Sequence, residues 1–172
     1  MSPVTDLDHL EIIGDLSAGR PTLGNMTSVS IYRLYSYSLR AVLEAKYRKE
    51  ESDRIIYQAG KLAGSTIFNS LMSSVSDAEQ MFVKMQEIFL KSKIGKVNID
   101  NIDAKHEMYS LVISEDLDCS GLPVDGTTKC TFDEGLISGI LSSFFKKEFI
   151  TKEWRCWGTG EKYCLFKSYP KA

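Results

Sequence analysis

The sequence predicts an α+β domain in which N-terminal helices pack on a mostly antiparallel sheet, and three observations support this fold class. Apolar residues recur at helical spacing from Val29 to Phe89. From Lys96 onward the apolar period changes to two, as it does in strands. One further helical segment, residues 130–145, interrupts the strands, so helices and strands are segregated along the chain and do not alternate.

Length, composition and charge narrow the class of protein further. The chain has 172 residues, enough for one domain with a hydrophobic core and short for two. Residues 1–28 are rich in turn formers and predict an N-terminal arm, which leaves residues 29–172 as a single domain. The formal net charge is -2 and no long basic run occurs, so we expect no direct binding of nucleic acid.

The same survey predicts where the protein resides. No apolar stretch approaches the roughly twenty residues that cross a bilayer. The acidic N-terminus "MSPVTDLDHLEII" lacks the basic and apolar regions of a secretory signal. We therefore expect a cytoplasmic protein that does not enter a membrane, and cysteines that stay reduced.

Two helices are predicted between Val29 and Met72, with the first ending near Arg48. Ser30 is a candidate N-cap for the first helix, and Ser52 is one for the second. The first helix is predicted from residues that recur at helical spacing: Ile31, Leu34, Tyr35, Ser38, Leu39, Val42 and Leu43.

The second and third helices each carry a local signal. Gly60 and Gly64 lie four residues apart in the second helix, where two glycines are costly unless another element packs closely against them. The third helix begins near Ser76, which lies three residues before Glu79 in the spacing of a capping box.

The strands are predicted in two pairs. "KVNIDNID" and "HEMYSLVISED" form the first pair, and the alternation is weaker in the former. "EFITKEWRCWGTG" and "KYCLFKSY" form the second pair, joined through "GTGEK" as a glycine-containing hairpin.

Four cysteines are the candidate functional residues. Cys130 opens the last helix, and the hairpin can bring Cys156 and Cys164 together. Glu153 precedes Cys156 by three residues, so both reach one ion only if the strand bulges or twists. Three thiolates and a carboxylate form a tetrahedral zinc set, with Cys119 as the competing fourth ligand. The spacing alone leaves metal binding and buried reduced thiols equally open, with disulfide or redox chemistry as a further alternative.

The stretch "DCSGLPVDGTTKCTFDEGLISGILSSFFKKEFITKEWRCWGTGEKYCLFK" resembles the 4-vinyl-reductase domain family. The resemblance implies a ligand-binding fold shared with haem nitric-oxide-binding domains and a family of vesicle-tethering subunits. In the related phenol sensors, zinc is held by a Cys, a Glu and two further Cys. Carried onto this chain, that set is Cys130, Glu153, Cys156 and Cys164, with zinc as the cofactor.

The resemblance leads us to expect a zinc-stabilised sensory module that binds a small hydrophobic or aromatic molecule. Residues chosen for bulk and position as a candidate pocket are Phe82, Met85, Tyr109, Phe132 and Trp157. The chain ends soon after the motif, so we expect no output domain and a possible regulatory protein partner.

Alternative functions remain open at this point. We assign no catalytic residue and favour a protein that is not an enzyme. Neither histidine, His9 or His106, lies clearly on an apolar face, and His106 is expected to be a surface or hydrogen-bonded residue. One alternative is an accessory or reductase-like protein acting on a tetrapyrrole vinyl group. The other is a dimeric scaffold, since the helical half of the chain could form a homodimer.

Overall fold

A computed structural model describes Leu7 and residues 10–171 of the chain. The start of the predicted arm and His9 lie outside these residues. The helices are α1 (Leu16–Gly19), α2 (Val29–Ile67), α3 (Ala78–Lys91) and α4 (Thr131–Phe145), and a π-helical turn, Phe68–Met72, follows α2. The strands are β1 (Lys96–Asp103), β2 (Met108–Ser114), β3 (Phe149–Arg155) and β4 (Cys164–Pro170).

The four strands form one antiparallel sheet in the order β1-β2-β4-β3. Helix α4 contacts β3 on one side and α2 on the other, while α3 packs against β1. Helices therefore cover the sheet, and the predicted α+β class is confirmed. None of the described helices combines the length and the hydrophobicity that a membrane crossing needs.

Helix α2 folds back on itself at Arg48. This residue has φ 67° and ψ 169°, outside the helical region. Arg40 Nη1 lies 2.5 Å from Asp53 Oδ1, although residues thirteen apart in a straight helix are separated by about 20 Å along the axis. The two predicted helices are therefore present as two halves of α2. The N-cap of the first half is Ser28, whose hydroxyl accepts from Ile31 N, so the expectation of Ser30 was wrong.

The first half of α2 leaves most of the apolar side chains that predicted it in solvent. Leu34 is 65% exposed and Tyr35 is 69% exposed. Side chains on another face of this half, Tyr32, Arg33 and Tyr37, instead contact the loop that follows β2. Helical spacing identified an apolar face correctly, but spacing cannot say whether the same chain covers that face.

The second half of α2 meets α4 through four glycines. A Cβ on Gly60, Gly64, Gly135 or Gly139 would lie 2.0 to 2.2 Å from a carbonyl oxygen of the facing helix. Real Cβ atoms do not approach oxygen so closely, so the two backbones are in direct contact along this seam. The close packing expected from the sequence is present, and its partner is α4 of the same chain.

The start of α3 and the end of β3 carry smaller local features. The N-cap of α3 is Asp77, whose carboxylate accepts from Gln80 N, one residue later than the Ser76 expected from the sequence. The pairing of β3 with β4 shifts register between Glu153 and Arg155. The strand is therefore irregular between these two residues, where a bulge or twist was needed for Glu153 and Cys156 to reach one ion.

Candidate metal centre

The four cysteines converge on one point in the structure. All four side chains are buried, none is in a disulfide, and their Sγ atoms lie within 4.8 Å of one another. The Sγ separations are 3.2 Å for Cys119–Cys164, 3.7 Å for Cys130–Cys164 and 4.0 Å for Cys130–Cys156. A tetrahedral zinc–thiolate site with Zn–S bonds of about 2.3 Å has sulfur atoms about 3.8 Å apart. The donor set and its spacing therefore fit a zinc ion.

Each cysteine comes from a different structural element. Cys130 is the residue before α4, and Cys164 begins β4. Cys156 follows β3 and opens the short 3-10 turn Trp157–Thr159 inside the predicted hairpin. Cys119 lies in the loop after β2, eleven residues before Cys130. A bound ion would therefore join the loop after β2, the start of α4 and both ends of the hairpin.

The loop with Cys119 is held from two sides. Asp116 Oδ1 accepts from the backbone N–H groups of Asp118 and Cys119, at 2.9 and 3.1 Å. From the first half of α2, the guanidinium of Arg33 donates to the carbonyl oxygens of Leu117 and Ser120, at 2.8 and 2.9 Å. These contacts fix the backbone on both sides of Cys119.

Glu153 lies beside the cluster, with its carboxylate directed at the backbone. Its Oε2 accepts from the N–H groups of Lys129 and Cys130, both at 3.0 Å, immediately before α4. Its Oε1 is buried and has no hydrogen-bond partner among the described residues. Burial raises the pKa of Glu153 to about 8. The structure thus groups Cys119 with the other three thiols and places Glu153 at the N-terminus of the helix.

Carboxylates that spacing did not single out lie next to Cys130. Asp116 and Asp133 are buried, and each offers an oxygen that forms with Cys130 Sγ a group within 4.8 Å. Burial raises the pKa of both carboxyls, and it raises the pKa of Asp118 to about 6. Hydrogen bonds among the crowded thiols raise the pKa of Cys130. The runs "SEDLDC" and "CTFDE" contain these acids, but nothing in the spacing predicts that they meet.

The five candidate pocket residues fall into two groups. Phe82, Met85 and Tyr109 are buried in the core, where the Phe82 and Tyr109 rings are 5.4 Å apart and Tyr109 stacks on Phe145. The other two are half-buried at the opposite end of α4: Phe132 in its first turn, and Trp157, which donates to the carbonyl of Leu122.

Phe132 and Phe145 are thirteen residues apart in α4, which is about 20 Å of helix. One small ligand therefore reaches one group or the other. His106 is exposed and its Nδ1 lies 2.7 Å from Asp103 Oδ2, as expected for a surface histidine with a hydrogen bond.

Comparison with known proteins identifies the family of this chain. A family model for the V4R domain matches residues 110–169, which include all four cysteines. The uncharacterized protein MJ0150 of Methanocaldococcus jannaschii is 32% identical over 157 residues, which cover 90% of this chain and 84% of that protein. The chain belongs to the V4R domain family.

Solved structures share the fold at lower identity. The phenol-responsive sensory domain of the transcription activator PoxR, solved with phenol, has a TM-score of 0.64 at 15% identity, covering 85% of this chain and 76% of that one. A trafficking protein particle complex subunit 3 from Naegleria fowleri, covalently bound to palmitic acid, has a TM-score of 0.63 at 15% identity, covering 84% and 95%. An H-NOX protein from S. oneidensis has a TM-score of 0.56 at 12% identity, covering 86% and 78%. The expected relation to the nitric-oxide-binding and vesicle-tethering folds is confirmed.

Proposed function

We propose that this protein is a zinc-stabilised module that binds a small apolar molecule, and that Cys119, Cys130, Cys156 and Cys164 hold the ion. The observation that supports this most directly is the convergence of four buried thiols from separate elements. Zinc with four protein ligands has no open position and acts as a structural ion. Its contribution here would be to join the loop after β2, α4 and the hairpin.

The choice of Cys119 over Glu153 as fourth ligand rests on what each side chain already contacts. Cys119 Sγ is 3.2 Å from Cys164 Sγ, whereas Glu153 Oε2 accepts two backbone hydrogen bonds at the start of α4. These two hydrogen bonds give partners to N–H groups at the start of the helix and orient Cys130. We therefore assign Glu153 to positioning Cys130 and Cys119 to binding zinc.

Cobalt substitution tests this assignment, because thiolate-to-cobalt charge-transfer absorbance grows with the number of thiolate ligands. We expect the wild-type protein and Glu153→Gln to give the intensity of four thiolates, and Cys119→Ser to give that of three. A three-thiolate spectrum for the wild-type protein, with loss of metal in Glu153→Gln, would instead support the set implied by the phenol sensors. Metal-free protein with four freely reactive thiols would reject the metal proposal.

We propose that the ligand lies near Phe82, Met85 and Tyr109, between α3, α4 and the sheet. Two neighbours with this fold hold apolar molecules, phenol in one and palmitic acid in the other. The group itself is aromatic and buried, which suits such a ligand. Phenol and palmitate are therefore the first probes to use.

A thermal-shift assay with these probes measures binding. A ligand at one hundred times its Kd adds about 2.7 kcal/mol of stability, and about 2–4 °C per kcal/mol is typical at this chain length. We expect Met85→Ala to change the ligand-induced shift. Met72→Ala is the matched control, since Met72 is equally buried but lies in the π-helical turn, and its ligand-induced shift should equal that of the wild type. No shift with either probe would count against this ligand class.

We further propose that the exposed apolar face of the first half of α2 is covered by a second copy of the chain. This face forms an open groove of about 430 Å³, lined by Ile31, Leu34, Tyr35, Ser38, Leu39 and Val42. Its lining is almost wholly apolar, and the small net charge of -2 gives little repulsion between two copies.

Sedimentation velocity tests the dimer with a matched pair of variants. Leu34 and Leu62 are 65% and 66% exposed, but only Leu34 lies on the proposed interface. We expect Leu34→Glu to sediment as a monomer, and Leu62→Glu to sediment as a dimer like the wild type. A wild-type protein that stays monomeric at high concentration would exclude this interface.

The remaining parts of the proposal concern the cellular compartment of the protein and its protein partner. Four unbridged thiols suit a reducing compartment, so we propose a cytoplasmic location. A sensory module of this kind would transmit ligand binding to a regulatory protein. Co-purification from cells grown with and without the identified ligand would reveal such a partner.

A further inference from the structure

We propose that a second divalent cation binds beside the cysteine centre, held by Asp116, Asp133 and the Cys130 thiolate, so that both ions share Cys130. This inference rests on the proposed zinc site, because a shared thiolate needs the first ion in place. The inference adds a second metal-binding position next to the four-cysteine site.

The three side chains form a compact and closed group. One oxygen of Asp116, one oxygen of Asp133 and Cys130 Sγ all lie within 4.8 Å of one another. Asp116 is 2% exposed, Asp133 is 3% exposed, and Cys130 is fully buried. Asp116 Oδ1 is 3.6 Å from Cys130 Sγ, so the carboxylate lies directly against the sulfur.

One buried oxygen of Asp116 is available to bind a cation. Asp116 Oδ1 accepts from two backbone N–H groups, but Oδ2 is buried and has no hydrogen-bond partner among the described residues. A buried carboxylate oxygen without a partner is costly, and a cation in contact with it removes that cost.

No basic side chain in the described part of the chain neutralises these two acids through an ion pair. Arg33 is close, but it donates to the backbone carbonyls of residues 116, 117 and 120 and to neither carboxylate. A zinc ion held by four thiolates is itself a net negative group, and it adds to the charge of the two acids when these are ionised. A second dication would reduce this buried negative charge. A hydrogen-bond donor in the same place would give the unpartnered oxygen a partner but would leave the charge.

The donor set indicates which ions would bind. Two carboxylate oxygens and one thiolate combine hard and soft ligands, which suits Zn²⁺, Fe²⁺ or Co²⁺ better than Mg²⁺ or Ca²⁺. Three protein ligands leave at least one position of a tetrahedral ion for water or a small anion. This second ion would therefore differ from the first in having an open coordination position.

Titration of the metal-free full-length protein with Co²⁺ tests the proposal. We expect binding to saturate at two equivalents per chain, with thiolate charge-transfer bands, and magnetic coupling through the shared thiolate to reduce the EPR signal at the second equivalent. Saturation at one equivalent would overturn the second site and leave the zinc site intact. Absence of binding would contradict the proposed function itself.

Asp133→Asn separates the second site from ions bound adventitiously at the surface. We expect this variant to bind one equivalent with an unchanged tetrathiolate spectrum and no magnetic coupling. Asp103→Asn is the control, since it removes an exposed carboxylate next to His106, and it should still bind two equivalents. Two coupled equivalents in Asp133→Asn would overturn the proposal. If that variant does not fold, the wild-type stoichiometry and coupling decide the question.

Discussion

Substitution of Gly64 by alanine should destabilise the protein although alanine favours helices. The new Cβ would lie 2.1 Å from the carbonyl oxygen of Leu136, whereas ordinary contacts are 3.4–4 Å. The obstacle is backbone, so no side chain can rotate away. The two helices would have to separate by about 1.3 Å, the difference between 2.1 and 3.4 Å.

The expected size follows from two opposing contributions. Overpacking in a core costs typically 1–3 kcal/mol, and a rigid backbone neighbour favours the upper end, about 3 kcal/mol. The gain in helix propensity from glycine to alanine is about 1 kcal/mol. The net loss is therefore about 2 kcal/mol. At about 2–4 °C per kcal/mol for this chain length, Tm should fall by about 4–8 °C.

Urea and thermal unfolding followed by circular dichroism measure this loss, with Gly19→Ala as the control. Gly19 lies in α1, and a Cβ added there would meet no atom within 4 Å, so alanine should be neutral or stabilise by up to about 1 kcal/mol. A Gly64→Ala protein as stable as the wild type would show that α2 and α4 are not in backbone contact. Equal destabilisation by both variants would refute the packing argument.

Three further predictions concern the surroundings of the metal centre. Burial raises the pKa of the Asp118 carboxyl to about 6. The protonated carboxyl therefore makes its full contribution to the free energy of unfolding at low pH, and this contribution is lost as pH rises through about 6. Tyr32→Phe removes a 2.6 Å hydrogen bond to the Asp118 carboxylate. Urea unfolding should show little loss of stability at pH 4, and a loss of about 1.5–3 kcal/mol at pH 8, where the carboxylate is ionised. An equal loss at both pH values would contradict this. Arg33→Ala should weaken zinc binding by about 10–100-fold in chelator competition, while Arg54→Ala, on an exposed ion pair, should not. Removal of zinc by a chelator should lower Tm in the wild type, and no change would argue against a structural ion.

The sequence predicted the parts of the fold that depend on local pattern. The separation of two helices near Arg48, the two strand pairs, and the helix opened by Cys130 all follow from periodicity and turn residues. Cap positions differed by one or two residues, Ser28 instead of Ser30 and Asp77 instead of Ser76, because neighbouring polar residues compete for the same role.

Features that depend on contacts between distant segments could not be predicted in this way. Asp116 and Asp133 are seventeen residues apart in the sequence, and only the path of the loop after β2 brings them to Cys130. The role of Glu153 as an acceptor for the α4 N-terminus also depends on contact between segments more than twenty residues apart, since its partners are Lys129 N and Cys130 N. The exposure of Leu34 depends on whether another surface covers it, which periodicity does not encode.

The break at Arg48 makes the first half of α2 a separate helical segment with two working faces. The ion pair between Arg40 and Asp53 spans the fold-back, and Lys49 pairs with the same carboxylate from within the second half. Such pairs weaken as salt screens them. The apolar groove lies on one face of this half-helix, and on another face Arg33 donates a hydrogen bond to the loop of Cys119. A movement of this half-helix would therefore shift the groove and the Arg33 contacts to the Cys119 loop together.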